Sequence, residues 1–225
     1  ISQPKLQLLH AMKNHPLKIS LIIMGISGTT AQIILLRELL ISFFRNELTL
    51  GIILANWLIL EAIGSFIVGK SVEKIEKKKE VYVLWQLVFS LALPFAIYLS
   101  RIFKNLLLAT PGEGRGVVPI FSSSFRILLA VSIPLGALFT YCCNIYSKTV
   151  QEDASSIGNV YVLETLGSIA GGFLVTFVLI QHLHSFAIAF IISLTNTLIS
   201  IILLLPKPRS TRHPFRKVLW VLSIF

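Results

Sequence analysis

The chain has 225 residues, of which 55% are hydrophobic and 13% charged, with a formal net charge of +10 and a mean hydropathy of +0.82. A soluble domain of this size has too little interior to bury that much apolar surface, so the composition excludes an ordinary soluble fold and implies an integral, all-α membrane protein. The basic excess implies no nucleic-acid partner, because no aromatic residues interleave with the Lys and Arg residues as base-stacking platforms require.

Apolar runs of about 20 residues, the length that crosses roughly 30 Å of hydrocarbon, fall at 18–43, 48–69, 81–100, 125–146, 159–181 and 185–205. They predict an amino-terminal arm over 1–17, a six-helix transmembrane domain over 18–205, a basic loop over 206–217 and the start of a truncated seventh span over 218–225. The opening on Ile1 and the run cut at Phe225 read as truncated ends. Lys and Arg concentrate in the amino-terminal arm, in 70–79, after Ser147 and in 207–217, whereas the alternate loops carry only Arg45, Arg101, Lys104, Arg115 and Arg126. The positive-inside rule then predicts a multi-pass protein of the cell membrane with a cytoplasmic amino terminus, its basic side against lipid headgroups.

In the first span, Ser27 and Ala31, and Gly28 and Gln32, sit four apart, a spacing that lets another helix approach one face. Gln32 is an amide near the centre of the span and is expected to face the bundle interior or a wet cavity. Arg37 snorkels toward the nearer boundary, and Glu38, too short to follow, is expected to pair with Arg37 or with another span. In the second span Glu61, Gly64, Ser65 and Gly69 share an arc of about 140°, one stripe holding a carboxylate and three small residues. A charge in hydrocarbon is costly and marks either a solute or proton site or a hydrogen bond that locks two helices.

The third and fourth spans carry Pro94 and Pro134, which predict a break or kink in each. Between them, Thr110 to Gly116 reads as a turn, with Glu113 and Arg115 able to touch an entering solute. Adjacent Cys142 and Cys143 point about 100° apart and exclude a mutual disulfide, and neither they nor His182 and His184 have the company a metal site needs. Trp57, Trp85, Tyr141 and Tyr161 read first as interfacial anchors, with cavity lining as the alternative.

The fifth span repeats a phrase of the second: Asn56, Leu60, Glu61, Gly64 and Ser65 are matched by Asn159, Leu163, Glu164, Gly167 and Ser168 at a constant offset. Similar second and fifth spans imply two inverted triplets of helices, as in each half of a major facilitator. Glu61 falls about two thirds along its span and Glu164 about one quarter along its own, positions read as denying the pair one symmetric site. Of the two, Glu61 is the stronger candidate for solute chemistry, with Glu164 a helix lock.

Two resemblances follow from these residues. Gly64 and Gly69 with Glu73 and Lys77, Lys78 and Lys79 resemble the glycine, acid and basic cluster between the second and third helices of major facilitators, where it latches helix ends during alternating access. Gly25 to Gln32, Leu36-Arg37-Glu38-Leu39, Asn46-Glu47-Leu48 with Gly51 to Asn56, Leu60 to Ser65, and Gly158 to Gly172 together resemble the membrane portion of fused spermidine-synthase-like proteins. That family pattern carries Asn where this chain has Glu164. The resemblance implies a major-facilitator-like helical region joined to a soluble aminopropyltransferase-like domain, fused or associated. It also implies binding or transport of a small cation such as a polyamine by Glu61, Glu38, Glu164, Gln32 and Asn56, with Arg37 orienting. The chain itself contains no strand leading into a glycine-rich nucleotide turn, no nucleophile and base pair, and no cofactor motif, so no catalytic domain is read here. A purely structural anchor or assembly module is the alternative function.

Overall fold

A computed structural model describes residues 3–43, 47–107, 116–150 and 153–204, and among these residues the chain is helical apart from short connections, without strands. Helix α1 spans Gln3–Ser42, α2 Glu47–Ser71, α3 Lys78–Leu107, α4 Val117–Val150, α5 Asp153–Leu174, α6 Ile180–His182 and α7 Ser185–Leu204. A π-helical turn at Val175–Leu179 joins α5 to α6, so the two form one rod. Six segments are long and apolar enough to cross a membrane: Pro16–Ser42, Glu47–Ser71, Lys78–Phe103, Val117–Ser147, Ile157–His182 and Ser185–Leu204. Backbone groups in hydrocarbon must be satisfied internally, and a continuous helix does this within its own segment.

The boundaries differ from the hydropathy runs in instructive ways. The first helix begins at Gln3, so the predicted arm continues straight into the first span. The fourth begins at Val117, which puts Ser122, Ser123 and Ser124 inside a helix. Neither Pro94 nor Pro134 interrupts its helix, and both α3 and α4 run through them. The irregularity lies instead in the π turn of the fifth span, where no proline or glycine occurs. The expected basic loop and seventh span, and the turn bearing Glu113 and Arg115, lie outside the described residues.

Cross-helix hydrogen bonds fix the helix directions. Ser20 pairs with Tyr82 and Glu38 with Arg101, so α1 and α3 run parallel. Asn56 pairs with Ser124 and Ser65 with Gly136, so α2 and α4 run parallel. Lys78 at the start of α3 donates to Asn144 near the end of α4, which makes these two antiparallel. Gln86 meets Asn196, while Ser90 meets Ser193 and Thr197, so α3 and α7 are antiparallel as well. One end of the bundle thus gathers Lys18, Lys70, Lys74 and Lys77 to Lys79 and is called the basic side below; the other end holds the α1–α2 connection and Arg101.

The core combines apolar packing with buried amides. Leu21, Leu35, Leu39, Leu93, Ile97, Ile127 and Leu128 are wholly enclosed. Beside them Asn196 donates to the Ser27 hydroxyl at 2.8 Å and accepts from Gln86 at 3.2 Å, tying α1, α3 and α7. In hydrocarbon such interhelical bonds average about 0.6 kcal/mol each, enough to set register once apolar shape has chosen the partners.

Candidate functional site

Two close helix crossings build the site. At the first, Gly64 of α2 lies against the Ile133 carbonyl of α4, and Gly136 of α4 lies against the Glu61 carbonyl and the Ser65 amide of α2. At the second, Gly167 of α5 lies against the Ile22 carbonyl of α1, and Gly25 of α1 lies against the Glu164 carbonyl and the Ser168 amide of α5. A methyl group at any of these four glycines would collide with backbone of the facing helix. The hydroxyls occupy corresponding places: Ser65 donates to the Gly136 carbonyl at 3.0 Å, and the Ser168 oxygen lies 3.4 Å from the Gly25 carbonyl. The shared phrase of the second and fifth spans is therefore one packing unit used twice. The stripe on α2 divides, because Gly64 and Ser65 pack on α4 while Gly69 faces open space.

Glu61 and Glu164 stand nearly level with each other, although their unequal positions along the two spans argue against one symmetric site. Helix α2 descends toward the basic side and α5 rises from it, so two thirds along one span and one quarter along the other are nearly the same depth. Glu61 is 10 residues from Ser71 and Glu164 is 7 residues from Ile157, or about 15 Å and about 10 Å above the basic-side ends at 1.5 Å per residue.

Both glutamates line a single cleft of about 320 Å³. It is lined by α1, through Met24, Gly28, Thr29 and Gln32, by α4, through Leu135 and Phe139, by α2, through Trp57 and Glu61, and by α5, through Tyr161, Glu164 and Ser168. Each carboxylate is anchored within its own helix, one turn away. The Trp57 indole donates to Glu61 Oε2 at 3.1 Å, and the Ser168 hydroxyl donates to Glu164 Oε1 at 2.8 Å. Trp57 is 3% exposed and lies in mid-span, so it lines the cleft and is no interfacial anchor, whereas Tyr161 lines the same cleft and is 61% exposed. Two carboxylates and three aromatic rings around one cavity can hold a cation by charge, hydrogen bonds and ring faces.

The structure distributes the other candidates differently. Gln32 joins Glu61 and Glu164 in the cleft. Asn56 is buried against α4, where its amide donates to the Phe121 carbonyl at 3.0 Å and the Ser124 hydroxyl at 2.8 Å. Glu38 pairs with another span, accepting from Arg101 Nε at 3.2 Å and Nη2 at 3.3 Å, while the same guanidinium lies 4.5 Å from the Phe186 ring. This clamp joins α1, α3 and α7 at the far side, so neither Asn56 nor Glu38 reaches the cleft. Arg37 lines a separate groove with Glu47. On the basic side Glu73 sits in a short 3₁₀ turn, Val72–Lys74; Lys77 and Lys79 are exposed, and Lys78 reaches Asn144.

The residues that sequence reasoning missed are Gln86, Asn196 and the Ser90–Ser193–Thr197 cluster. The signal existed, since an amide inside an apolar run needs a partner wherever it occurs. Among the described residues no group of His, Cys, Asp and Glu is arranged to hold a metal ion, and both cysteines are free. Comparison with protein-family models, curated proteins and solved structures finds no match to this chain.

Proposed function

We propose that this integral membrane module binds a small organic cation of the polyamine class in the cleft between α1, α2, α4 and α5, in the manner the resemblance to spermidine-synthase-like membrane regions implies. The observation that carries the reading is the convergence of Glu61 and Glu164, nearly level with each other, on one cavity that also presents Trp57 and Tyr161. Two carboxylates at that depth are expensive to keep unless they meet a positive charge or protons. Spaced ammonium groups joined by methylenes match the site, with charge for the acids and an apolar stem for Met24, Leu135 and Phe139. Major-facilitator-like organisation is part of the same proposal, and it is supported by the equivalence of the two crossings on oppositely directed helices.

The experiment is calorimetric titration of the purified protein with spermidine, alongside E61Q and E164Q. Binding by the parent that is lost in either variant, with thermal stability unchanged, supports the cation site. A second reading, a structural anchor with no solute of its own, is favoured by the bonds that Trp57 and Ser168 make to the two carboxylates, which give each acid a partner within its own helix. It predicts no heat with the parent and a lowered melting temperature in the variants.

A further inference from the structure

Helices α1 and α2 are consecutive, and near their far-side ends they line a groove of about 500 Å³ that shares no residue with the cleft. Its walls are apolar, formed by Ile33, Leu36, Leu40 and Ile41 of α1 and Leu50 of α2. The remaining lining residues are Arg37 and Glu47, both exposed. Arg37 is five residues short of Ser42, or about 7.5 Å below the end of α1, within snorkelling reach of the headgroup layer. Glu47 opens α2 at that same side. Opposite charges thus share one groove, but among the described residues the ion pair found is Arg101 with Glu38, and Arg37 and Glu47 do not close on each other.

An apolar slot whose described lining carries one cation and one anion is complementary to an amphiphile whose head carries both signs. The guanidinium suits a phosphate, which it can engage with two N–H donors. The carboxylate is an acceptor only, so it selects a head with N–H groups to donate over a quaternary ammonium, which has none. Glu47 repels a purely anionic head. We propose that the α1–α2 groove holds one acyl chain of a zwitterionic phospholipid with a primary ammonium headgroup, its phosphate on Arg37 and its ammonium on Glu47. The proposal is independent of the cation cleft.

Native mass spectrometry of the purified protein tests it, with three lipids of identical acyl chains supplied in equal amounts and bearing phosphoethanolamine, phosphocholine or phosphoglycerol heads. The phosphoethanolamine lipid is expected to be retained about fivefold over either competitor, the ratio one partly exposed ion pair supplies. E47Q should reduce that ratio to near one without lowering phosphocholine retention, whereas R37Q should lower all three because each has a phosphate. I41W, which narrows the groove without changing charge, should also lower all three; unchanged far-UV circular dichroism checks that each variant is folded. Equal retention of the three lipids by the parent, a preference for phosphoglycerol, or an ethanolamine preference that survives E47Q overturns the proposal.

Discussion

At the scale of single residues, Gly25, Gly64, Gly136 and Gly167 carry the sharpest structural demand. Each faces backbone, which cannot swing aside as a side chain can, so a methyl group must push two helices apart. G136A and G25A are each expected to cost about 1–3 kcal/mol, the usual penalty of overpacking, read as a lowered melting temperature in detergent. Because they disturb separate crossings, the double variant should lose close to the sum. G69A, at a glycine with open space around it, should be neutral or slightly stabilising, since alanine forms helix better than glycine. These glycines were visible in the sequence as small residues on a stripe. Which of them touched a neighbour was not, because spacing gives the face of a helix and not what stands opposite.

Among the described residues, α3 and α7 are joined by a run of polar contacts, as α2 and α4 are. Asn196 links Ser27 and Gln86, while Ser90 and Ser193 each donate to the other's carbonyl. N196L would leave the Gln86 amide group and the Ser27 hydroxyl without that partner in the interior, and it is expected to cost about 1–3 kcal/mol in thermal unfolding. Breaking the Glu38–Arg101 clamp with E38Q should cost less than about 1 kcal/mol, because the Arg101 side chain is 46% exposed and solvent or headgroups replace the bond. The π turn at Val175–Leu179 belongs to this scale too. Nothing in its composition announced it, since neither proline nor glycine lies within it.

For the whole molecule, the bonding pattern sorts the spans into two directions, with α1, α3 and α5 one way and α2, α4 and α7 the other. A single cysteine in place of Lys77, introduced after Cys142 and Cys143 are replaced by serine, should react with an impermeant thiol reagent from the side opposite to one in place of Val118. Labelling of both from the same side would overturn the arrangement. The same opposition of directions makes the repeated phrase of the second and fifth spans an inverted pair, and it brings Glu61 and Glu164 nearly to one level. If the proposed cation site holds, substituting Tyr161, an exposed residue of the cleft lining, with alanine is expected to weaken cation binding by about two- to fivefold, the worth of an exposed ring-face contact, with little change in stability.

The sequence by itself determined the solvent and the secondary structure. Apolar runs of sufficient length leave the backbone no alternative in hydrocarbon but a helix, so six spans were legible from hydropathy, and the glutamate phrase was legible as related packing. Tertiary structure decided partners and levels. Whether Glu61 and Glu164 share a cleft depends on helix direction and on which glycine meets which carbonyl, quantities set by backbone contact between segments far apart in the sequence. For the same reason Asn56 and Glu38, alike in the sequence to Gln32 as polar residues in apolar surroundings, are spent on neighbouring helices while Gln32 faces the cavity.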